Sequence, residues 1–558
     1  MNSPLSSPTR RYLLQRSAGV VAANGLLCAL GALANRHAVA AVGKQTVSAV
    51  SPYGPIAPVR DGSTGLPLLA LPEGFEYRSY GWSGDAMTDG RPTPDSHDGM
   101  GVLRVTRGDS DSSGLRELDR PDVSVSLVVR NHERGLVATA ADVVQAPSMY
   151  ATSPVDGIIT IFYGTLPIRI GAGPTFVGDP TLPDPPRFVG YAGGGTTNLL
   201  FLGNRGVLST SSLGGTLGNC AGGATTWGSW LTCEETIVDF SLINGKKHGY
   251  VFETAAIPAR SIATPIVGMG RFVHEAVALD PATGDVYETE DNRNLSVLYR
   301  FRPRTKARRL GALQQGGTLQ AARIVTIVRQ ARPGSLAQAN NEALLNPDIG
   351  DEYVVEWVDI ADPDASPVFV AGQPGLETLG LSAGPTYQAL SNGCARMSRC
   401  EGIAYSDDRM FIVDTTAGVD DRNRQGRGEG AVWELHLRTM HLRAVFVSGS
   451  QTAGNNPDNA TVSPRGGLVL CEDGGLGDGG SRLLGLNEDG EAYVFCRNEV
   501  NLSANDVAAA GKTVAPVDYR SIEFAGACFD RQGSVLFVGI LRPGITFAIT
   551  GPWTRGNL

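Results

Sequence analysis

HEAVALDPATGDVYETED, from His274 to Asp291, is an apolar run, a turn of Asp, Pro and Gly, and a second run carrying Val and Tyr. That order predicts a strand, a tight turn and an antiparallel strand. The pattern returns in CEGIAYSDDRMFIVDT from Cys400, PDNATVSPRGGLVLCED from Pro457, EFAGACFDRQGSVLFVGI from Glu523 and NCAGGATTWGSWLTCEE from Asn219. Hairpins recurring along one chain predict a radial repeat, because a single hairpin cannot bury its apolar faces alone. In such an array the first strand of each repeat begins near a common axis. Glu275, Glu401, Asp458, Asn459 and Glu523 stand near those beginnings and are expected to meet. Crowded carboxylates oppose one another's ionisation and call for cations.

The predicted fold class is all-β: a six-bladed β-propeller with irregular insertions and short helices. A chain of 558 residues with 71 Gly, 33 Pro and 18% charged residues suits many strands and turns. The net charge of -9, with no run of Lys and Arg, argues against nucleic acid as a partner.

The first forty-one residues read as an address. Arg10-Arg11 precede an apolar stretch from Ala18 to Ala34, and Ala38-Val39-Ala40 resembles a cleavage site. That is the layout of a twin-arginine (Tat) export signal, so the Tat machinery is an expected partner and the expected location is periplasmic or secreted. Removing residues 1–41 deletes Arg10, Arg11, Arg16 and Arg36 and no acid, which takes -9 to -13. No second apolar span appears, so no stable membrane span is expected in the mature form. Residues 42–70 read as a lead-in segment and 71–558 as a single propeller domain.

The blades read in order. SHDGMGVLRV and VSLVVRNHE open the first, separated by a polar loop over 108–122. GGTTNLLFL, from Gly194, is assigned to the second with NCAGG…CEET and HGYVFE. The third holds His274–Asp291 and VLYRF. Residues 303–395 read as an insertion with helical stretches near 314–323 and 335–345 and an outer strand from Glu352. The fourth, fifth and sixth follow from Cys400, Pro457 and Glu523. Seven cysteines outside the signal show no C-x-x-C spacing. Cys233, Cys471 and Cys528 read as buried hydrophobes, and a Cys394–Cys400 pair stays open. His132, His274, Trp227 and Trp230 read as packing residues, and Gly193–Asn198 as a turn that lacks the Lys of a phosphate loop.

The chemistry concentrates in one constellation. Hard oxygen donors at Asp98, Glu234, Glu235, Glu275, Glu401, Asp458 and Glu523 favour Ca²⁺, with iron (Fe³⁺) possible where ligands are tight. With period 2, Arg399 points the same way as Glu401, where a planar guanidinium would grip phosphate. Several cations beside that guanidinium would strengthen the grip on an anion. Two alternatives share the acid ring: a calcium-dependent propeller lactonase, and a non-catalytic propeller holding structural calcium.

The motifs HDGM, RNHE, GGGTTNL, NCAGG…WGSWLTCEE, HGYVFE, GRFVHEAVALDPATG, VWEL, PDNATVSPRGGLVLCEDG and EFAGACF…FVGI…GITFAITGPW together resemble the PhoX-type bacterial alkaline phosphatases over nearly the whole chain after the signal. The resemblance implies a six-bladed propeller with an iron–calcium cluster and hydrolysis of small phosphorylated substrates, phosphate monoesters, outside the cytoplasm. Cations would neutralise the non-bridging oxygens and a metal-bound oxide or hydroxide would be the nucleophile, with no Ser or Cys nucleophile. It implies metal ligation by Glu235 (or Glu234), Glu401, Asp458 and Glu523, with Asp98 a further candidate. Asn131 and Arg399 would contact the phosphate. The family's irons share a thiolate, for which Cys220 is the candidate here.

Overall fold

The computed structural model describes residues 43–103, 124–163, 166–171, 185–306, 308–331, 340–371, 380–475, 479–487 and 489–558. The expected signal and the polar loop over 108–122 lie outside the described residues.

Tight turns set the hairpins. Asp280 accepts hydrogen bonds from Ala282 N (2.8 Å) and Thr283 Oγ1 (2.7 Å), and Gly284 adopts φ +82° to close the loop between His274–Leu279 and Val286–Glu290. Asp407 and Asp408 both take positive φ, 47° and 62°, between Cys400–Ser406 and Arg409–Asp414. That is the twist-matched two-residue hairpin turn.

Six sheets are built outward from such hairpins. The first runs His97–Leu103, Val125–His132, Gly194–Leu202, Arg205–Thr216; the second Asn219–Ala224, Ser229–Glu234, Val251–Ala255. The third runs His274–Leu279, Val286–Glu290, Tyr299–Pro303, Gly317–Arg329, Glu352–Asp359. Its outer strand also pairs with His441–Val447, the outermost strand of the fourth sheet, which continues inward through Ala431–His436 and Arg409–Asp414 to Cys400–Ser406. The fifth runs Pro457–Val462, Leu468–Glu472, Arg482–Leu486, Ala492–Asn498, and Leu69–Pro72 and Ile56–Val59 from the lead-in segment extend it. The sixth, Phe524–Phe529, Val535–Ile540, Ile545–Thr550, is completed by Glu76–Tyr80, which ties the two ends of the chain together.

The first strands of the six sheets are neighbours in a closed cycle, each contacting the next and the sixth contacting the first. Apolar side chains fill every seam: Leu127 and Val129 against Trp230, Leu231 and Val251 against Val286, Tyr287 against Ile412, Val413 against Leu470, Val469 against Leu536, and Phe537 against Phe201. Each sheet therefore buries both faces against its neighbours, which is why the strands read as near-continuous apolar runs.

Two expectations are corrected. Gly194–Leu202 pairs with Val125–His132 and belongs to the first sheet, not the second. Leu199 and Phe201 bury against Val128 and Met100 there, and the ladder continues into Arg205–Thr216. The stretch near 314–323 is helical only over the turn Leu313–Gln315; Gly317–Arg329 is a strand paired on both sides. Tertiary pairing overrides the helix propensity of Gln, Ala and Arg. Of 335–345, residues up to 339 lie outside the described residues and Asn340–Glu342 forms a 3-10 turn. Among the described residues the α-helices are Gly384–Ser391 and Ala504–Ala509. The fold is thus mostly β.

A candidate metal centre ringed by β-bulges

Every first strand carries a break in register near its start. In the first sheet His97 pairs with His132 and Met100 with Arg130, so Asp98 and Gly99 together oppose Asn131. The same two-against-one arrangement follows Asn219, His274, Cys400 and Pro457, and it follows Ala525 in the sixth sheet. A bulge leaves its extra residue out of the ladder and re-aims its side chain. The re-aimed residues are Asp98, Cys220, Glu275, Glu401 and Asp458.

The residue after each of them lets neighbouring strands approach closely at the axis. A Cβ on Gly99 would lie 2.5 Å from Ala221 Cα, and one on Gly402 2.4 Å from Asp458 O. Gly99, Ala221, Ala276, Gly402, Asn459 and Gly526 line a small cavity of about 40 Å³. Asn459 ties the fifth sheet to the sixth: its Nδ2 donates to Asp458 Oδ1 (3.0 Å) and its Oδ1 accepts from Gly526 N (2.8 Å).

A second tier comes from the residue just past the second strand of four sheets: Glu133, Glu235, Asp291 and Asp473. Glu523 joins them from just before the sixth first strand. The tiers interlock. Cys220 Sγ donates to Glu275 Oε1 at 2.9 Å, and ligand atoms of Cys220, Glu235 and Glu275 all lie within 4.8 Å of one another. Asp98 lies beside Cys220, Glu401 beside Asp458, Glu235 beside Asp291, and Glu523 beside Asp473. Asp98, Glu275, Glu401 and Asp458 are buried.

Burial first, and then the neighbouring acids, push the carboxyls of Asp98, Glu235, Glu275, Glu401 and Glu523 well above the usual range. The same causes put Asp458 at about 6 and Glu133 at about 7, although Arg542 partly offsets the rise at Glu133. The Cys220 thiol is pushed up by burial and by Asp98 and Glu275. Such a cluster ionises only when cations occupy it. The donor set fits metal: many hard oxygens with one thiol among them.

Arg399 is the cation nearest the centre. Its Nη2 lies 2.7 Å from Glu401 Oε1 and its Nη1 3.4 Å from Asp473 Oδ2, and it chelates Asp291. Burial works against its charge, but Glu401 and Asp291 prevail and raise its pKa. The Asp414 carboxylate fixes the chain entering this strand by accepting from Ser398 N (3.1 Å) and Arg399 N (3.0 Å).

Glu234 is not part of this cluster. Its carboxylate accepts from Leu217 N, Gly249 N, Tyr250 N and His248 Nδ1, on the opposite face from Glu235. It secures the chain entering the second sheet, as Asp414 does in the fourth and Glu472 (to Asn455 N, 2.7 Å) in the fifth. The Asn131 amide is bonded between the first and second sheets. Its Nδ2 donates to Cys220 O (2.9 Å) and Ala221 O (2.7 Å), and its Oδ1 accepts from Trp230 Nε1 and Thr232 Oγ1 (both 2.9 Å). All four positions of the amide are filled within the protein. His132 and His274 bond to Asp95 O, Thr197, Gly249 O and Glu288, as packing residues do. The seven described cysteines are free and buried, Cys394 and Cys400 among them.

Asp291 and Asp473 were not anticipated beside the ring, whereas Glu133 stands in the Asn131-His132-Glu133 stretch that ends a strand of the first sheet. The tails of NHE, YETED and VLCED carried the signal for the acids: each ends a second strand at the same height as the bulge.

The fold is similar to that of Pseudomonas fluorescens PhoX, solved in complex with vanadate, a transition state analogue: TM-score 0.50 and 17% identity over 90% of this chain and 99% of that one. A gluconolactonase of Xanthomonas campestris overlays with a TM-score of 0.29 and 12% identity, over 82% of this chain and 97% of that one. No curated protein sequence matches the chain. The family model of alkaline phosphatase PhoX matches residues 51–544. From the bulge ring to the matched sequence, the chain belongs to the alkaline phosphatase PhoX family.

Proposed function

We propose that the protein is a metal-dependent phosphatase that hydrolyses phosphate monoesters, and that its six sheets are the blades of a six-bladed β-propeller. The observation that carries this reading is the convergence of bulge-presented donors from five sheets, four acids and the Cys220 thiol, around Arg399, in a chain of a phosphatase family. The closed cycle of first strands and the six filled seams support the propeller.

Asp98, Glu235, Glu275, Glu401, Asp458 and Glu523 would hold the cations, with Ca²⁺ on the all-oxygen side and Fe³⁺ where Cys220 adds a thiolate. Bound cations would supply Lewis acidity and lower the proton affinity of the attacking oxygen. The protein's own part is positioning. Arg399 carries its charge at every working pH and presents planar donors to non-bridging oxygens. Asp291 and Glu401 hold that fork in place, and Asp414 holds its backbone. The acid ring alone would repel a phosphate dianion, so the guanidinium and the cations together set the sign of the field. We further propose that Tat export carries the protein to the periplasm or beyond, on the strength of Arg10-Arg11 and the apolar run after them.

Metal analysis of the purified protein together with para-nitrophenyl phosphate and lactone turnover tests the reading. Several ions per chain including iron, phosphate-ester hydrolysis and its loss on chelation are expected. A single calcium with no phosphatase activity would refute it, and Cys220→Ser is expected to lower the iron content more than the calcium content.

A further inference from the structure

Beside the ring, at the seam of the first and sixth sheets, lies a groove of about 960 Å³. Its walls come from the stretch around Pro92–Asp95, from Ala140–Gln145, and from Thr513–Ala515. It is at the same end of the molecule as the acids. Asp95 precedes the strand that carries Asp98, Arg134 follows Glu133, and Arg542 follows the second strand of the sixth sheet. Arg542 joins the two spaces: it lines the groove and its charge acts on Glu133 in the ring.

Arg542 differs from Arg399 in what holds it. Arg399 is chelated by carboxylates. Arg542 is exposed, and among the described residues no carboxylate or carbonyl accepts a hydrogen bond from its guanidinium. Its planar donors are therefore available to an incoming anion. Elsewhere on the wall Arg134 is paired with Asp95 at 2.6 Å, and Arg91 more loosely with Asp89 at 3.5 Å. Between these cations the lining is largely apolar, including Met87, Val143 and Pro543. A purely neutral, small leaving group needs neither the volume nor the cation.

We propose that this groove receives the leaving group of the phosphate ester, and that it favours leaving groups bearing a second anionic group, a sugar bisphosphate being the simplest case. The proposal rests on the phosphatase reading above and names the substrate class of that same site. One phosphate is held at the metals and Arg399; the second meets Arg542 at the groove mouth, and the carbon skeleton lies along the apolar wall.

The test is the ratio of kcat/KM for fructose 1,6-bisphosphate to that for phenyl phosphate, measured on the metal-loaded protein. Arg542→Ala is expected to lower this ratio about tenfold, the scale of one charge-assisted contact. Ala141→Trp, which fills the exposed groove wall without removing a charge, is expected to lower it in the same direction. A ratio unchanged in both variants overturns the proposal, as does an equal loss on both esters in Arg542→Ala, which would place Arg542 in the phosphate grip itself. If the metal-loaded wild-type protein hydrolyses neither ester, the phosphatase reading fails first.

Discussion

Arg399 and Asp291 meet in a two-point fork: Nε donates to Oδ1 and Nη2 to Oδ2, each at 2.9 Å, across the seam between the fourth and third sheets. The fork fixes the guanidinium plane, and the looser 3.4 Å contact of Nη1 with Asp473 leaves that edge the easier one for a phosphate oxygen to take. Lysine places a point charge on a flexible stem and cannot reproduce this. Arg399→Lys is expected to weaken inhibition by inorganic phosphate about tenfold or more, with the melting temperature little changed. An unaltered inhibition constant would remove Arg399 from the phosphate site.

Chelation is expected to abolish activity and lower stability together, because the cations also relieve repulsion among the acids. The metal-free protein should then show an inverted pH profile. Burial lifts Asp458 from 3.8 to about 6 and Glu133 from 4.5 to about 7 in the native state. Between the two values of each group the native chain binds more protons than the unfolded chain. Stability therefore falls as pH rises through that window, by about 1.4 kcal/mol per pH unit for each such group. Urea midpoints of the chelated protein at pH 5 and pH 8 check this. A higher midpoint at pH 8 would contradict it.

Asn131 joins the first and second sheets through four hydrogen bonds, so its loss should read out as stability. Asn131→Ala takes a partner from two buried carbonyls, an indole N–H and the Thr232 hydroxyl, at a cost of about 3 kcal/mol. Protein that remains folded should bind phosphate within about twofold of wild type. Chemical denaturation paired with phosphate inhibition separates this from a direct substrate contact, which would give the opposite pattern.

Gly526 has φ +66°, and a Cβ there would lie 2.5 Å from Met100 N and 2.7 Å from Asp98 O. Gly511 has a similar φ of +64° with nothing within 4 Å. Gly511→Ala should cost about 1 kcal/mol, the left-handed backbone alone. Gly526→Ala should cost several times as much and also reduce bound metal, since it pushes on the strand that presents Asp98. Equal effects of the two substitutions would mean that the close approach at the axis is not tight.

Much of the site was legible before any coordinates. Asp98, Cys220, Glu275, Glu401 and Asp458 were all identifiable as heads of strands, because a hairpin repeat exposes its own phase through turn residues such as Asp280 and Asp407. Asp291 and Asp473 were visible as letters but not as partners. Their height relative to the heads depends on the register of the second strand, and the bulge shifts that register by one residue. The partners of Asn131 were not legible, because its neighbours in space, Cys220 and Trp230, are about ninety residues or more away.

Local chemistry alone determined that this chain folds as repeated hairpins with a donor at most of their beginnings: alternation of apolar side chains and the conformational demands of tight turns act over a few residues. Only the tertiary structure decided which of two adjacent acids serves the centre. Glu234 and Glu235 are chemically alike, yet successive strand residues point to opposite faces, so one secures a backbone and the other joins the acid ring. That choice depends on strands contributed by five separate stretches of sequence closing around one axis.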